Sequence, residues 1–404
     1  MLTPPVILIM LGAIATYALI SRRLSSSIIS LPMVFAALGL LLGRLGLQLV
    51  PAETGNEIVQ FVAEITLILV LFSDASQVKT ALLKRSVAIP TRMLLIGMPL
   101  SILLGTLIAK WASPDQPWAL ALLLAAILTP TDAALGQSVV TSPAVPKRIS
   151  QSINVESGLN DGLALPVVLV AAIAAASEVL IAESIPNNVV LFALRQITLG
   201  PLAGIAIGYT SAKLLDLAIQ RKTATMVEQG LYFLATAFIA YFGAELIGGN
   251  GFIAAFAGGL TFGNTLRAPS EFINEFMEGE GQLLTMLTFL VFGAVLAPIG
   301  LSHANWRTLV VAISFLTFVR ILPIWISLTG LRLSSYEKLF LGWFGPRGLA
   351  SILFVLLSIE QFVLPGQDEL VACAVLTVLL SIALHGITAV PLSNLFRKAD
   401  KTKR

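Results

Sequence analysis

The sequence predicts an all-α polytopic membrane protein of about thirteen transmembrane helices, two of them interrupted and related by an inverted repeat. Three observations carry this expectation. The 404 residues are 57% hydrophobic and 12% charged, where a soluble domain is about 45–50% apolar and about 25% charged. Mean hydropathy is +0.92. The apolar residues are also gathered into long runs, separated by short connectors such as SRRLSSS at 21–27, SPDQP at 113–117 and PGQDE at 365–369.

A helix that crosses a bilayer needs about 20 mostly apolar residues. Windows between the connectors give spans at 4–20, 27–49, 57–74, 90–112, 118–140, 150–176, 188–215, 226–247, 251–266, 281–298, 306–330, 338–362 and 368–392. The first opens MLTPP, with no basic leader region and no small-residue cleavage pattern, and reads as a retained helix. Span nine is short, and the acidic stretch 267–280 is expected at an interface. No connector is long enough for a folded soluble domain, so the chemistry is expected inside the bilayer or at its faces.

Charge sets the orientation. Nineteen basic residues, from Arg22 and Arg23 through Lys147 and Arg148 to Lys403 and Arg404, fall on one side of this span pattern. Only Arg44, Lys110, Arg195 and Arg307 fall on the other. Cytoplasmic loops carry the basic excess, which places the N-terminus outside, the C-terminus in the cytoplasm, and favours an odd number of spans. The net charge of +3 is spread through connectors and not massed on a face, so no nucleic-acid partner is expected. The lone Cys373 excludes an intrachain disulfide, and His303 and His385 cannot build a three-histidine zinc centre. Neither an enzyme nor a cofactor is expected.

Charges at the centre of a span cost about 2.5–3.5 kcal/mol on insertion scales and are functional candidates by default. Asp132, Glu156, Asp161, Arg320 and Arg347 stand out, with Glu64 and Glu245 as lesser cases and Asp74 at the end of span three read as interfacial. In span six, Ser157 and Asp161 lie four apart and share a helix face, while Glu156 and Asn160 share another. Glu156 and Asp161 diverge by about 140°, which gives the two acids different tasks. Span five carries Thr129-Pro130-Thr131-Asp132 at its centre, and the proline breaks the helix there. Span twelve carries a matching Gly345-Pro346-Arg347-Gly348. Two broken helices in corresponding halves point to a transporter site, and a shift of seven spans, being odd, inverts the repeat.

The motifs TPTD at 129–132, ESGLNDG at 156–162 and GPRG at 345–348 resemble the NhaP/NHE branch of the monovalent cation/proton antiporters, and the span pattern resembles it along the whole chain. The Asn-Asp pair of ESGLNDG is the specific part. The resemblance implies an NhaA-like antiporter fold with two interrupted, crossing helices. Core transport helices would occupy roughly 90–176 and 306–392, and dimerisation helices 4–74 and 188–298, in a homodimer working by alternating access. It implies Na⁺ or Li⁺ exchanged for H⁺ in the cell membrane, with a K⁺/H⁺ antiporter as the alternative. Asp161 would bind cation or proton in turn, with Asp132, Ser157 and Thr129 or Thr131 completing or supporting the site. Asn160, where electrogenic relatives carry a second aspartate, implies one-for-one electroneutral exchange. Glu156 would form a structural ion pair, with Arg320 favoured over Arg347. An intramembrane aspartyl protease needs YD and GxGD motifs, which these aspartates do not sit in. A cation channel needs rings of carbonyls or acids, and lone buried acids beside broken helices argue against it.

Overall fold

The computed structural model describes residues 4–24, 29–49, 55–78, 88–140, 142–179, 189–268 and 271–401, and these contain helices and no strand. The helices fall into thirteen spans where the apolar runs place them. Spans one to four are α1 (Pro4–Leu24), α2 (Leu31–Leu42), α3 (Gly55–Gln77) and α4 (Ala88–Ala112). Span five is two half-helices, α5 (Trp118–Leu128) and α6 (Ala133–Val140). Spans six to nine are α7 (Lys147–Val179), α8 (Val189–Gln220), α9 (Met226–Leu246) and α10 (Gly251–Thr265). Span ten is α11 (Glu271–Val291), which runs on through the turns Phe292–Leu296 and Ala297–Ser302. Span eleven is α12 (Trp306–Leu316) and α13 (Phe318–Ser327), span twelve is α14 (Ser335–Trp343) and α15 (Leu349–Gln361), and span thirteen is α16 (Gln367–Lys401). Six helical stretches among the described residues are long and apolar enough to cross a membrane unaided: Ala88–Ala112, Lys147–Ser177, Leu191–Gln220, Gly279–Ser302, Trp306–Ser327 and Gln367–Phe396.

The structure departs from the sequence expectation at three places. Span two is helical only over Leu31–Leu42 and continues in turns to Leu49. The acidic stretch at 267–280 is, from Glu271 onward, the beginning of α11 and continuous with span ten. Span eleven breaks at Thr317, a position with no proline or glycine to announce it. The basic residues Lys79, Lys84, Arg85, Lys403 and Arg404, which weigh in the orientation argument, lie outside the described residues.

Two spans carry a wide π turn with one cause. In α4 the turn is Met93–Gly97 and in α11 it is Phe292–Leu296, and each is followed two residues after its end by a proline, Pro99 or Pro298. Proline has no N–H for the carbonyl four residues back, Leu95 or Ala294, which falls inside the wide turn.

Helices in lipid gain nothing by hiding apolar side chains from one another, so close backbone approach through small residues carries their association. Helix α10 is gripped on two sides in this way. Gly200, Gly204 and Gly208 of α8, spaced by four onto one stripe, face the backbone of Asn250, Ala254 and Gly258. Gly259 and Gly263 of α10 face the carbonyls of Phe72 and Ser76 in α3. Gly39 and Gly293 bring α2 and α11 together similarly. Gly249, Gly251, Gly258 and Gly259 of the two glycine runs therefore serve helix packing, while Gly248, at φ +78°, turns the chain between α9 and α10. A second group of helices, α4 with α5 and α7, and α12 with α16, encloses the two broken spans, and α3 touches both α7 and α15.

Gly259→Leu drives a side chain into the Phe72 carbonyl and is expected to abolish a cooperative melt in detergent. Gly279→Ala, where a Cβ meets nothing within 4 Å, is expected to be neutral or to raise stability by about 0.5–1 kcal/mol.

Candidate functional site

The two broken spans meet at their interruptions, and each satisfies the other. A half-helix ending at membrane depth exposes carbonyls at its C-terminus and amides at its N-terminus, with no water in lipid to take them up. Arg347, in the break of span twelve, donates from Nη1 to the carbonyl of Thr129 and, at 3.1 Å, to that of Pro130, the free carbonyls at the end of α5. Asp132, in the break of span five, accepts from the amide of Leu349 at 2.7 Å, the first residue of α15, and from the amide of Leu135 at 3.4 Å, at the start of α6. Its own amide donates to the Pro346 carbonyl at 2.8 Å. The signs suit the helix dipoles, with a carboxylate at two N-termini and a guanidinium at a C-terminus.

The glycines of GPRG make room for this. A Cβ on Gly348 would overlap the Asp132 carboxylate, and one on Gly345 would overlap the Arg320 guanidinium. Ser351 adds a hydroxyl donated to the Ile127 carbonyl at 2.9 Å.

Helix α7 docks onto this crossing through Thr131. Ser157 donates its hydroxyl to the Thr131 carbonyl at 2.6 Å, and Asn160 donates Nδ2 to Thr131 Oγ1 at 2.6 Å. The sequence expectation grouped Asn160 with Glu156. Asn160 lies about 40° from Glu156 and about 60° from Ser157 around the helix, between the two, and the structure shows its amide sharing Thr131 with Ser157. Thr129 turns its hydroxyl back to the Ala125 carbonyl at 2.7 Å.

Glu156 points away from this group. It receives both arms of Arg320, at 2.7 and 2.8 Å, with the two side chains 1% and 2% exposed. Its partner is thus Arg320, while Arg347 is committed to the α5 carbonyls. A planar guanidinium meeting a carboxylate with two parallel bonds is the geometry in which a buried pair has a chance of compensating its desolvation.

Asp161 is left. Its Oδ1 is buried and has no hydrogen-bond partner, as is Oδ1 of neighbouring Asn160. The charges that act on it are those of Asp74, Asp132 and Glu156. Asp74 is the acid that the sequence reading set at the end of span three as interfacial. It sits near the end of α3, which packs on α7 so that the Asp74 carbonyl is 3.6 Å from where a Cβ on Gly158 would stand. The acid was visible in the chain, but the approach of α3 to Gly158 was not. On the other side, Gly162 admits the ring of Phe256 from α10, where a Cβ would collide with it.

Crossed half-helices with buried acids near their ends are an arrangement recurrent at the ion sites of membrane transporters. The family model of the transmembrane sodium/hydrogen exchangers matches residues 7–395, and the chain belongs to that family. Among its relatives is the K(+)/H(+) antiporter NhaP2 of Shewanella sp. strain ANA-3, 26% identical over 91% of this chain and 62% of that protein. Another is the Na(+)/H(+) antiporter NhaH of Halobacillus dabanensis, 27% identical over 72% of each chain. This chain spans somewhat less than two thirds of the length of the NhaP2 relative. The fold is similar to that of the sodium proton antiporter MjNhaP1 from Methanocaldococcus jannaschii, with a TM-score of 0.76, 22% identity, and coverage of 96% of this chain and 97% of that one.

Glu156→Ala strands the Arg320 charge in a buried site and is expected to cost about 3–5 kcal/mol, read as a lower melting temperature in detergent. Replacing the pair together, Glu156→Leu with Arg320→Met, is expected to recover most of that loss, since an apolar pair leaves no uncompensated charge.

Proposed function

We propose that this protein exchanges a monovalent alkali cation for a proton across its membrane, with cation and proton competing for Asp161. One observation carries the reading: a carboxylate oxygen of Asp161 is buried without a hydrogen-bond partner beside a crossing of broken helices. Leaving such an oxygen bare costs several kcal/mol, so a proton or a cation belongs there. Hard alkali cations take oxygen ligands. The oxygens at hand are the Asp161 carboxylate, the Ser157 hydroxyl, the Thr131 carbonyl and Asn160 Oδ1. Asp132 is engaged by two helix N-termini, and its part is to support the site and add negative charge near it. Thr129, its carbonyl held by Arg347, supports the same wall.

Coupling needs no further part. If the helices rearrange only when Asp161 holds one of its two ligands, each cycle moves one cation one way and one proton the other, with no net charge. In this reading residues 90–176 and 306–392 form the moving core, and 4–74 and 188–298 form the scaffold through which two copies associate. The basic excess on one side places the N-terminus outside a cytoplasmic membrane. Na⁺ or Li⁺ is the first expectation. K⁺ is the second reading, favoured by the name of the NhaP2 relative.

The test uses proteoliposomes with an internal pH dye and a preset pH gradient. Added Na⁺, Li⁺ or K⁺ should collapse the gradient equally with or without a valinomycin clamp, and the responding ion names the substrate. Asp161→Asn should abolish the response. Ser157→Ala should raise the half-maximal cation concentration about tenfold, the worth of one strong hydrogen bond. An active Asp161→Asn variant would remove the mechanism.

A further inference from the structure

We propose that His385, a residue outside the ion site, is a positioning residue for it: through Ser381 it holds the break of span twelve closed around Arg347. The transport readout below rests on the exchange reading, while the geometry does not.

Three residues of α16, spaced by four and three onto one face, reach span twelve. Ser381 Oγ accepts the backbone amide of Arg347 at 2.6 Å. His385 Nε2 lies 2.9 Å from the carbonyl of Trp343. Thr388 Oγ1 accepts Nε1 of Trp343 at 2.9 Å. The imidazole also lies against the Trp343 indole, 5.1 Å between centroids at 31°. Span thirteen thus grips the last residue of α14 on one side of the break and Arg347 on the other.

The protons can be placed from the partners. Nε2 faces a carbonyl, which only accepts, so Nε2 carries hydrogen. Nδ1 lies 3.2 Å from Ser381 Oγ and 3.0 Å from the Ser381 carbonyl. The ring is 1% exposed, and the charged groups acting on it are the cations Arg347 and Arg320. A buried ring without a carboxylate partner works as a neutral connector, with one donor and one acceptor. Its Nδ1 then takes the hydrogen of the Ser381 hydroxyl. The bonds form one circuit across the break: Arg347 N–H to Ser381 Oγ, Ser381 O–H to His385 Nδ1, and His385 Nε2–H to the Trp343 carbonyl.

A broken helix has lost the internal bonds that would set its geometry, so external ones must do so. The circuit fixes the Arg347 backbone, and its guanidinium caps Thr129 and Pro130. The next residue is Thr131, to which Ser157 and Asn160 are fastened. His385 therefore acts on the ion site along a chain of contacts without touching it.

The experiment compares wild type, His385→Leu, His385→Gln, Ser381→Ala and the double variant His385→Leu with Ser381→Ala, all as the full chain. Two readouts are taken: cation-driven flux in proteoliposomes, and amide hydrogen exchange over 343–349 without added cation. Loss of the circuit is expected to raise the half-maximal cation concentration about five- to tenfold in each single variant, with the maximal rate little changed. The double variant should be no worse than either single one, because both cut the same circuit. Glutamine, with one donor and one acceptor, should restore most of the affinity, and amide exchange at 343–349 should speed up in the leucine and alanine variants only. Wild-type affinity and exchange in His385→Leu, glutamine as poor as leucine, or additive losses would each overturn the inference. Should His385→Leu not fold, Ser381→Ala against wild type decides by the same two readouts. A wild type without cation-driven flux, but with the expected exchange pattern, would overturn the transport reading and leave the circuit standing.

Discussion

Everything at the centre of this protein depends on one constraint: half-helices that end inside a membrane must have their terminal amides and carbonyls satisfied by protein. The solution is reciprocal. The interruption of span five supplies the carboxylate for the N-terminus in span twelve, and the interruption of span twelve supplies the guanidinium for the C-terminus in span five. Neither break is self-sufficient, so the two spans hold each other at the crossing. The four residues of GPRG are accounted for by this arrangement: two clear space, one accepts from Asp132, and one caps α5.

With the helix ends settled, the acids divide their work. Glu156 is neutralised by Arg320 in a bidentate pair, and Asp132 is held by backbone amides. Of these three acids, Asp161 is the one with a buried oxygen left without a hydrogen bond, on the same helix as Glu156 and five residues on. That contrast within one turn and a half of α7 is what makes the proposed competition between proton and cation chemically reasonable. A carboxylate already satisfied by the protein would have little to gain from either.

The two parts of the molecule are also held by different means. Around α10, glycines set helix backbones against one another, an arrangement with almost no slack, since a methyl added at Gly204, Gly208, Gly259 or Gly263 meets a backbone carbonyl. Around the crossing, side-chain hydrogen bonds dominate, donated by Ser157, Asn160 and Ser351 and accepted by Thr131 and Ser381. Hydrogen bonds can exchange partners where packed backbones cannot, and this agrees with a proposed rigid scaffold beside a rearranging core.

The sequence by itself determined the number and approximate position of the spans, the two interruptions and the identity of the buried charges. It could do so because bilayer thickness dictates run length, proline dictates breaks, and a buried charge is too costly to be accidental. It did not announce the break at Thr317, where no residue type marks the bend, nor the wide turns before Pro99 and Pro298. Only the tertiary structure decided which arginine Glu156 meets, that Asn160 and Ser157 share Thr131, that the Asp74 backbone lies against Gly158 of α7, and that His385 bridges the break of span twelve. Those are contacts between residues up to 164 positions apart. Periodicity along one helix assigns faces, but it cannot say which distant helix a face will meet.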